Sequence, residues 1–447
     1  MTTGSFDVTL RISDGVNTVQ TTQEDFINVT DGTNIYGNVS GIWKPEFNPY
    51  CITGDISILS DDELVIDPGV QITANDNSHF IIYGKLHADA FDGEPIIFTS
   101  ENEWDGITFQ NTQQENIIRN CHISKATVCA IEIDSSQVDI IENTIFENTS
   151  SDLSTAINVN YSDEVLIHKN IIANNISSEL SGGIGCTYSN IEISNNLLVN
   201  NTGLSAGAIS LRSNSDATLI NNTIANNLSQ NSVIFIFNSS PIITNTIISD
   251  TGNVFYILLG FPTVSYSCIT GGYEGIGNID DDPEFVNPSI GSGAEFDGLS
   301  ASWDLLESSP CIDVGDNSPV YWEFDLQGNP RIYNENVDIG AYEYIITNIE
   351  DHFISVASAL IGNYPNPFNP ETTISFSNHK SGYIIIEVYN IKGQKIRTLV
   401  DKHLKASNHT VVWDGRNETS KSVSSGIYFY KMKSGNYSST KKMILLK

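Results

Sequence analysis

The chain has 447 residues, 40% of them hydrophobic and 17% charged, a composition of folded domains that excludes a disordered, charge-rich chain. Its charge is uneven: residues 363–447 hold 13 of the 21 basic residues and 5 of the 54 acidic ones, which leaves 8 basic and 49 acidic residues on the first 362. Nucleic acid and anionic lipid repel such an acidic body, and no apolar run approaches the roughly 18 residues that span a bilayer, so neither a nucleic-acid partner nor a transmembrane segment is expected.

The chain starts Met1-Thr2-Thr3-Gly4-Ser5-Phe6, without the basic and apolar regions of a signal peptide. Phe6–Ile12 and Asp25–Val29 alternate as two strands around the turn Ser13-Asp14-Gly15. The pair resembles the last two strands of a polycystic-kidney-disease (PKD) repeat, an immunoglobulin-like module. Two strands do not fold alone. Residues 1–30 are therefore read as the end of a domain whose earlier strands, and any signal peptide, lie upstream.

Residues 31–346 contain a repeat. The pattern apolar-x-apolar-x-x-Asn-x-apolar recurs around Asn143, Asn170, Asn196, Asn222 and Asn245, with Asn-to-Asn spacings of 27, 26, 26 and 23. A second phase supplies alternating strands: Gly106–Phe109, Ala130–Ile133, Ala156–Val159, Gly183–Cys186, Ala208–Leu211 and Val233–Ile236. Three short strands and three turns use about two dozen residues, one coil of a parallel β-helix in which each coil buries its inward side chains by stacking on the next. The recurrent Asn is expected at a turn, in a left-handed conformation, its amide bonded to the Asn of the neighbouring coil as a ladder. A leucine-rich repeat lacks its L-x-x-L-x-L spacing here, and a sandwich lacks its hairpin turns. The numerous Asn-x-Ser/Thr sequons follow from the same Asn-rich turns.

Asp282-Pro283-Glu284-Phe285, Ser309–Gly315 and Val337–Glu343 succeed one another like the tail of the bacterial β-helix family called choice-of-anchor Q, and are expected to cap the open end of the solenoid. Residues 347–362 read as a linker. The last 85 residues carry Asn363-Tyr364-Pro365-Asn366-Pro367-Phe368-Asn369-Pro370, then Val388-Tyr389-Asn390-Ile391-Lys392-Gly393, Val412-Trp413-Asp414-Gly415 and Ser425-Gly426-Ile427-Tyr428. This segment resembles the C-terminal sorting domain of the type IX (Por) secretion system, an immunoglobulin-like fold. That resemblance implies passage through the outer membrane, release or attachment at the surface, and the secretion machinery as partner. The expected fold is all-β: a right-handed parallel β-helix followed by a small immunoglobulin-like sandwich, in a monomer.

The repeat also resembles the pectate-lyase-like β-helices, whose strand after the long turn lines a glycan groove. Alternation would aim one column, Glu132, Asn158, Gly185, Ser210 and Phe235, out of that strand, and a second, Asp134, Asn160, Thr187, Arg212 and Phe237, beside it. Tyr161 and Tyr188 occupy equivalent places just beyond. Carboxylates, amides and rings in one strip suit a polysaccharide, and serve equally as a solvated amide stack. A non-catalytic adhesin or glycan-binding protein is the first reading. A lyase using Arg212 as base, or a hydrolase using the carboxylates of Glu132 and Asp134, is the alternative. Asp280, Asp281 and Asp282, and more loosely Asp313, Asp316, Asp325 and Asp338, are the places where Ca²⁺ would bind, without the loop spacing of a dedicated site. His122, His168 and His403 are isolated. The six cysteines, Cys51, Cys121, Cys129, Cys186, Cys268 and Cys311, lack metal spacing and read as small buried side chains, with a Cys268–Cys311 bridge left open.

Overall fold

The computed structural model describes residues 4–13, 18–29, 33–75, 77–91, 93–346, 359–364, 368, 370–378, 382–404, 407–419, 421–434 and 437–445. They form two units, divided at 345/346. Gly4–Ser13 and Thr18–Val29 pair antiparallel at the start.

The repeat winds into a parallel β-helix with three faces. In one coil, Ile131–Asp134 lies on face A, Val138–Ile141 on face B and Thr144–Phe146 on face C. Each strand pairs in parallel with its equivalents one coil before and one coil after. Inward-facing Ile133, Ile140 and Ile145 have no exposed surface, and the same holds coil after coil. Complete burial of an aliphatic side chain is worth about 1.5–3 kcal/mol. No coil can obtain that burial without its neighbours, and this couples the stack.

The turns are held by side-chain ladders. Between faces B and C, the backbone N–H of Asn143 donates to Asn170 Oδ1 (2.9 Å), that of Asn170 to Asn196 (2.8 Å) and that of Asn196 to Asn222 (3.0 Å). Each Nδ2 donates both to the next Asn Oδ1 and to a carbonyl of the preceding coil. Two expectations need correction. The left-handed residue is the one before each ladder Asn (Glu142, Lys169, Asn195, Asn221), so the ladder Asn is required for its amide and not for its backbone. Asn245 is not a rung: the N–H of Asn222 meets Thr246 Oγ1, and Asn245 takes the left-handed place, equivalent to Asn221.

A second ladder, after face C, joins Asn148, Asn175, Asn201 and Asn227 and ends on Asp250. A third, after face A, is built of serine hydroxyls: Ser136, Ser162, Ser189, Ser215 and Ser239 each accept the N–H of their predecessor. Sequence reading missed both.

Residues 270–346 do more than close the open end. They run back along the outer side of face C, where Trp303, Ala341 and Tyr342 pack on Ala173, Leu197, Val199 and Ala225. Asn174, Asn200 and Asn226, the left-handed residues after face C, donate their amides to carbonyls of residues 289–296. Face C is therefore covered, while faces A and B keep open surface.

The second unit has antiparallel sheets of three and four strands around Phe376, Ile386, Val388, Trp413, Tyr430 and Met443. Its first strand, Ala359–Tyr364, begins inside the segment read as linker; residues 347–358 lie outside the described residues.

Candidate functional site on face A

The two outward columns of face A stand in register as expected. Glu132, Asn158, Gly185, Ser210 and Phe235 pair in succession, as do Asp134, Asn160, Thr187, Arg212 and Phe237. Their exposure differs. Asn158 and Ser210 are 4% and 1% exposed: Ser154, from the loop leading into the Asn158 strand, lies against the middle of the first column, and Arg212 folds back onto Ser210. Gly185 is what makes room for Ser154: a Cβ there would lie 2.0 Å from Ser154 Oγ. The accessible strip is thus the second column, where Asp134, Asn160, Thr187 and Arg212 are half-buried, together with Glu132 and Phe235 at the two ends of the first, which are half-buried as well.

Arg212 is a well-anchored side chain. Its Nε donates to Ser210 Oγ (3.0 Å), its Nη2 to Ser205 Oγ (3.1 Å), and its guanidinium lies 4.9 Å from the centre of the Phe235 ring. Burial lowers its pKa from the ordinary value. Three coil steps separate Arg212 from Asp134, about 14 Å at a strand spacing of roughly 4.8 Å, so the two cannot act on one bond. That distance counts against the lyase arrangement.

Glu132 sits half-buried at the start of the first column. Burial pushes its carboxyl above the usual range and Asp134 pushes the same way, while His79, Thr108 and Asn158 oppose them. Thr108 Oγ1 donates to Glu132 Oε2 at 3.5 Å and contacts His79 Nε2 at 2.7 Å. His79 belongs to an earlier coil whose sequence departs from the repeat, and no sequence signal marked it.

Just past the second column, the coils turn through a left-handed residue: Asn111, Ser135, Tyr161, Tyr188, Ser213, Asn238 and Leu259. Small polar residues tolerate this backbone, whereas a bulky ring there is uncommon and costs energy. Tyr161 and Tyr188 are 62% and 47% exposed and stack on each other with centroids 5.2 Å apart and planes 11° from parallel.

Face B carries a groove of about 670 Å³ lined by Glu115, Asp139, Asp163, Glu164, Glu192 and Asp216, another feature not anticipated. The Tyr321 hydroxyl and Trp322 Nε1, from the returning cap, donate to Glu192. His168 is structural: it stacks on Trp322 at 3.8 Å, and burial lowers its pKa to about 3.

The structure does not gather Asp280, Asp281 and Asp282 into a cation site. Consecutive acids on one turn diverge, and Asp280 and Asp282 accept the N–H groups of Gly271 and Glu284. Among the described residues the carboxylates that converge are Asp313, Asp338 and Glu343, with oxygens within 4.8 Å of one another. A cation of the chain itself is already there: Arg331 lies 3.3 Å from Glu343, both side chains being 1% exposed. Asp338 also accepts the N–H groups of Asp313 and Tyr344, so the cluster locks the cap.

Fold and sequence together define an all-β protein, a parallel β-helix joined to a small antiparallel sandwich. Residues 363–446 match the family described as "Secretion system C-terminal sorting domain", which marks the chain for secretion or surface attachment and for contact with the export machinery. No curated protein matches the chain. Among solved structures it is similar to the enzymatically active domain of bacteriophage CBA120 tailspike protein 2, with 10% identity, 93% of this chain and 71% of that chain covered, and a TM-score of 0.23. The full-length tailspike protein 2 from a bacteriophage of Escherichia coli O157:H7 gives 10% identity, 92% and 64% coverage and the same TM-score. Among the described residues, no helix is long and apolar enough to cross a membrane.

Proposed function

We propose that this exported protein is a non-catalytic glycan-binding β-helix, an adhesin that holds a polysaccharide along face A. The tyrosine pair carries the reading: two rings kept exposed and nearly parallel at a strained turn position form an aromatic platform. Asn160, Thr187 and Arg212 lie alongside and offer planar and hydroxyl hydrogen-bonding groups to sugar hydroxyls, and Asp134 extends the strip. Such a site binds sugar and leaves the glycosidic bond alone.

A hydrolase is the second reading, and one observation favours it. Glu132 has a carboxyl raised by burial, suited to a general acid, two residues from Asp134. Calorimetry of the full chain against a panel of neutral and acidic polysaccharides, with a reducing-end assay on the same samples, separates the two. Each ring is worth about 0.5–1.5 kcal/mol, so Tyr161→Ala with Tyr188→Ala should weaken binding roughly ten-fold. Turnover abolished by Glu132→Gln would replace binding with catalysis. Tyrosine variants that bind like the parent would remove the platform.

A further inference from the structure

Four of the six cysteines are dispersed along the stack: Cys51 lies in the first strands, Cys121 on face C, Cys129 before a face-A strand, and Cys186 inside face A. Cys268 and Cys311 differ. Cys268 lies on the last face-C strand, paired with Ile247 of the coil before it. Cys311 comes from the cap, and its carbonyl accepts the N–H of Ile339 (2.9 Å). The two are 1% and 0% exposed and share one apolar cluster with Ile247, Leu305 and Ile339. The two stand 43 positions apart in the chain, and the Cys268 thiol donates to the Asp281 carbonyl (3.2 Å).

We infer that Cys268 and Cys311 are oxidised to a disulfide in the exported protein, a covalent staple between the final coil and the returning cap. Three observations carry this. The two side chains, from separate elements, are packed into one buried cluster, which places a pair of thiols where a bridge of S–S length about 2.05 Å can form. A sorting domain takes the chain out of the reducing cytoplasm, into surroundings where disulfides persist. The cap also has the most to gain from a staple, since it packs on the outer side of a solenoid and is not wound into it.

The chemistry balances with an exported thiol–disulfide oxidoreductase, or glutathione disulfide, as oxidant. One cysteine thiolate attacks the oxidant's disulfide and expels one of its sulfurs as thiolate. The second cysteine attacks the resulting mixed disulfide. Two S–H bonds are lost, one S–S bond forms, and the two electrons and two protons leave with the reduced oxidant. Because both sulfurs are buried once the cap has docked, the reaction belongs to folding and precedes closure.

The test is to unfold the full chain, refold it in a glutathione redox buffer, denature it again and count free thiols with a maleimide by mass spectrometry. Four adducts are expected before reduction and six after, and a digest should join the Cys268 peptide to the Cys311 peptide at a mass two hydrogens below their sum. The Cys268→Ser and Cys311→Ser variants should each lose the linked peptide. Cys51→Ser should keep it, with three adducts before reduction. Six adducts on the refolded parent, or a link through any other cysteine, would overturn the inference. So would an oxidised parent whose cap melts at the same temperature as the reduced form.

Discussion

Asp250 stands where the second ladder needs an amide. In the preceding coils, Asn175, Asn201 and Asn227 each accept a neighbour's N–H through Oδ1 and donate through Nδ2 to carbonyls, as Asn227 does to Leu198 (2.9 Å) and Ala225 (3.1 Å). Asp250 keeps the first half of the pattern, accepting the N–H of Asn227. It lacks the second: its Oδ2 is buried with no partner. A carboxylate there faces a site built for a donor. Burial, partly offset by the Asn227 hydrogen bonds, raises its pKa from 3.8 to about 7.

The sign follows from proton counting. The folded state holds a proton that the unfolded state releases near pH 3.9, so the Asp250 contribution is fully present below about pH 4 and falls away as the pH rises to about 7. Roughly three units at about 1.4 kcal/mol each give on the order of 4 kcal/mol, an upper figure because a real site relaxes. Asp250→Asn replaces the acid by an amide that donates at every pH. The variant should match the parent at pH 4 and exceed it at pH 8 by about 2–4 kcal/mol. Denaturant unfolding followed by far-ultraviolet circular dichroism at both pH values measures this, and hydrogen exchange at the Asn227 amide reports the same coil locally. Subtracting parent from variant removes the other titrating groups. A stability difference that is flat between pH 4 and 8 would refute the reasoning.

Other outcomes follow from neighbouring features. Asn196→Ala should cost about 3 kcal/mol, measured by denaturant unfolding, because it strands the buried Asn170 N–H and the Ile167 carbonyl. Arg331→Met should cost about 3–5 kcal/mol at pH 8 and clearly less at pH 5. Burial raises Asp338 to about 6 and Glu343 to about 8, so both acids are largely neutral at the lower pH, and thermal melts at the two values check the difference. Gly106→Ala should fail to fold, read as loss of soluble protein, because Gly106 has φ +102° and a Cβ there would lie 1.7 Å from the Cys129 carbonyl oxygen. Phe368→Ala should destabilise the sorting domain by about 3–5 kcal/mol and reduce export, since Phe368 is 2% exposed and packs 5.6 Å from Trp413.

The solenoid was legible because burial repeats with the coil: each inward Ile recurs at a spacing fixed by the strands themselves. Its register was less so at the last rung. Asn245-Thr246-Ile247 copies Asn222-Thr223-Ile224, but the strands pair Ile224 with Ile248. With Ile247 and Ile248 adjacent, an alignment shifted by one still places an isoleucine inward, and in a strand that shift exchanges the two faces. Backbone pairing alone decides between them. Asn148, Asn175, Asn201 and Asn227 keep spacings of 27, 26 and 26, identical to the first ladder, so that signal was present in the sequence and lay five residues beyond the pattern being followed.

Which face stays open was not legible, because a remote segment decides it. Ala173, Leu197, Val199 and Ala225 form an apolar stripe along the outside of face C, and its cover comes from residues as distant as Trp303 and Tyr342. Local alternation predicts that such a stripe needs covering and cannot say by what. Once face C is covered, charge separates the other two. Face B presents six carboxylates around its groove and repels a polyanion. Face A carries two carboxylates, Glu132 and Asp134, at one end of its columns, and away from them offers Arg212, the stacked tyrosines and neutral polar groups. If the bound polysaccharide is acidic, its carboxylates therefore belong near Arg212, and added salt should weaken that binding while leaving a neutral glycan's affinity unchanged.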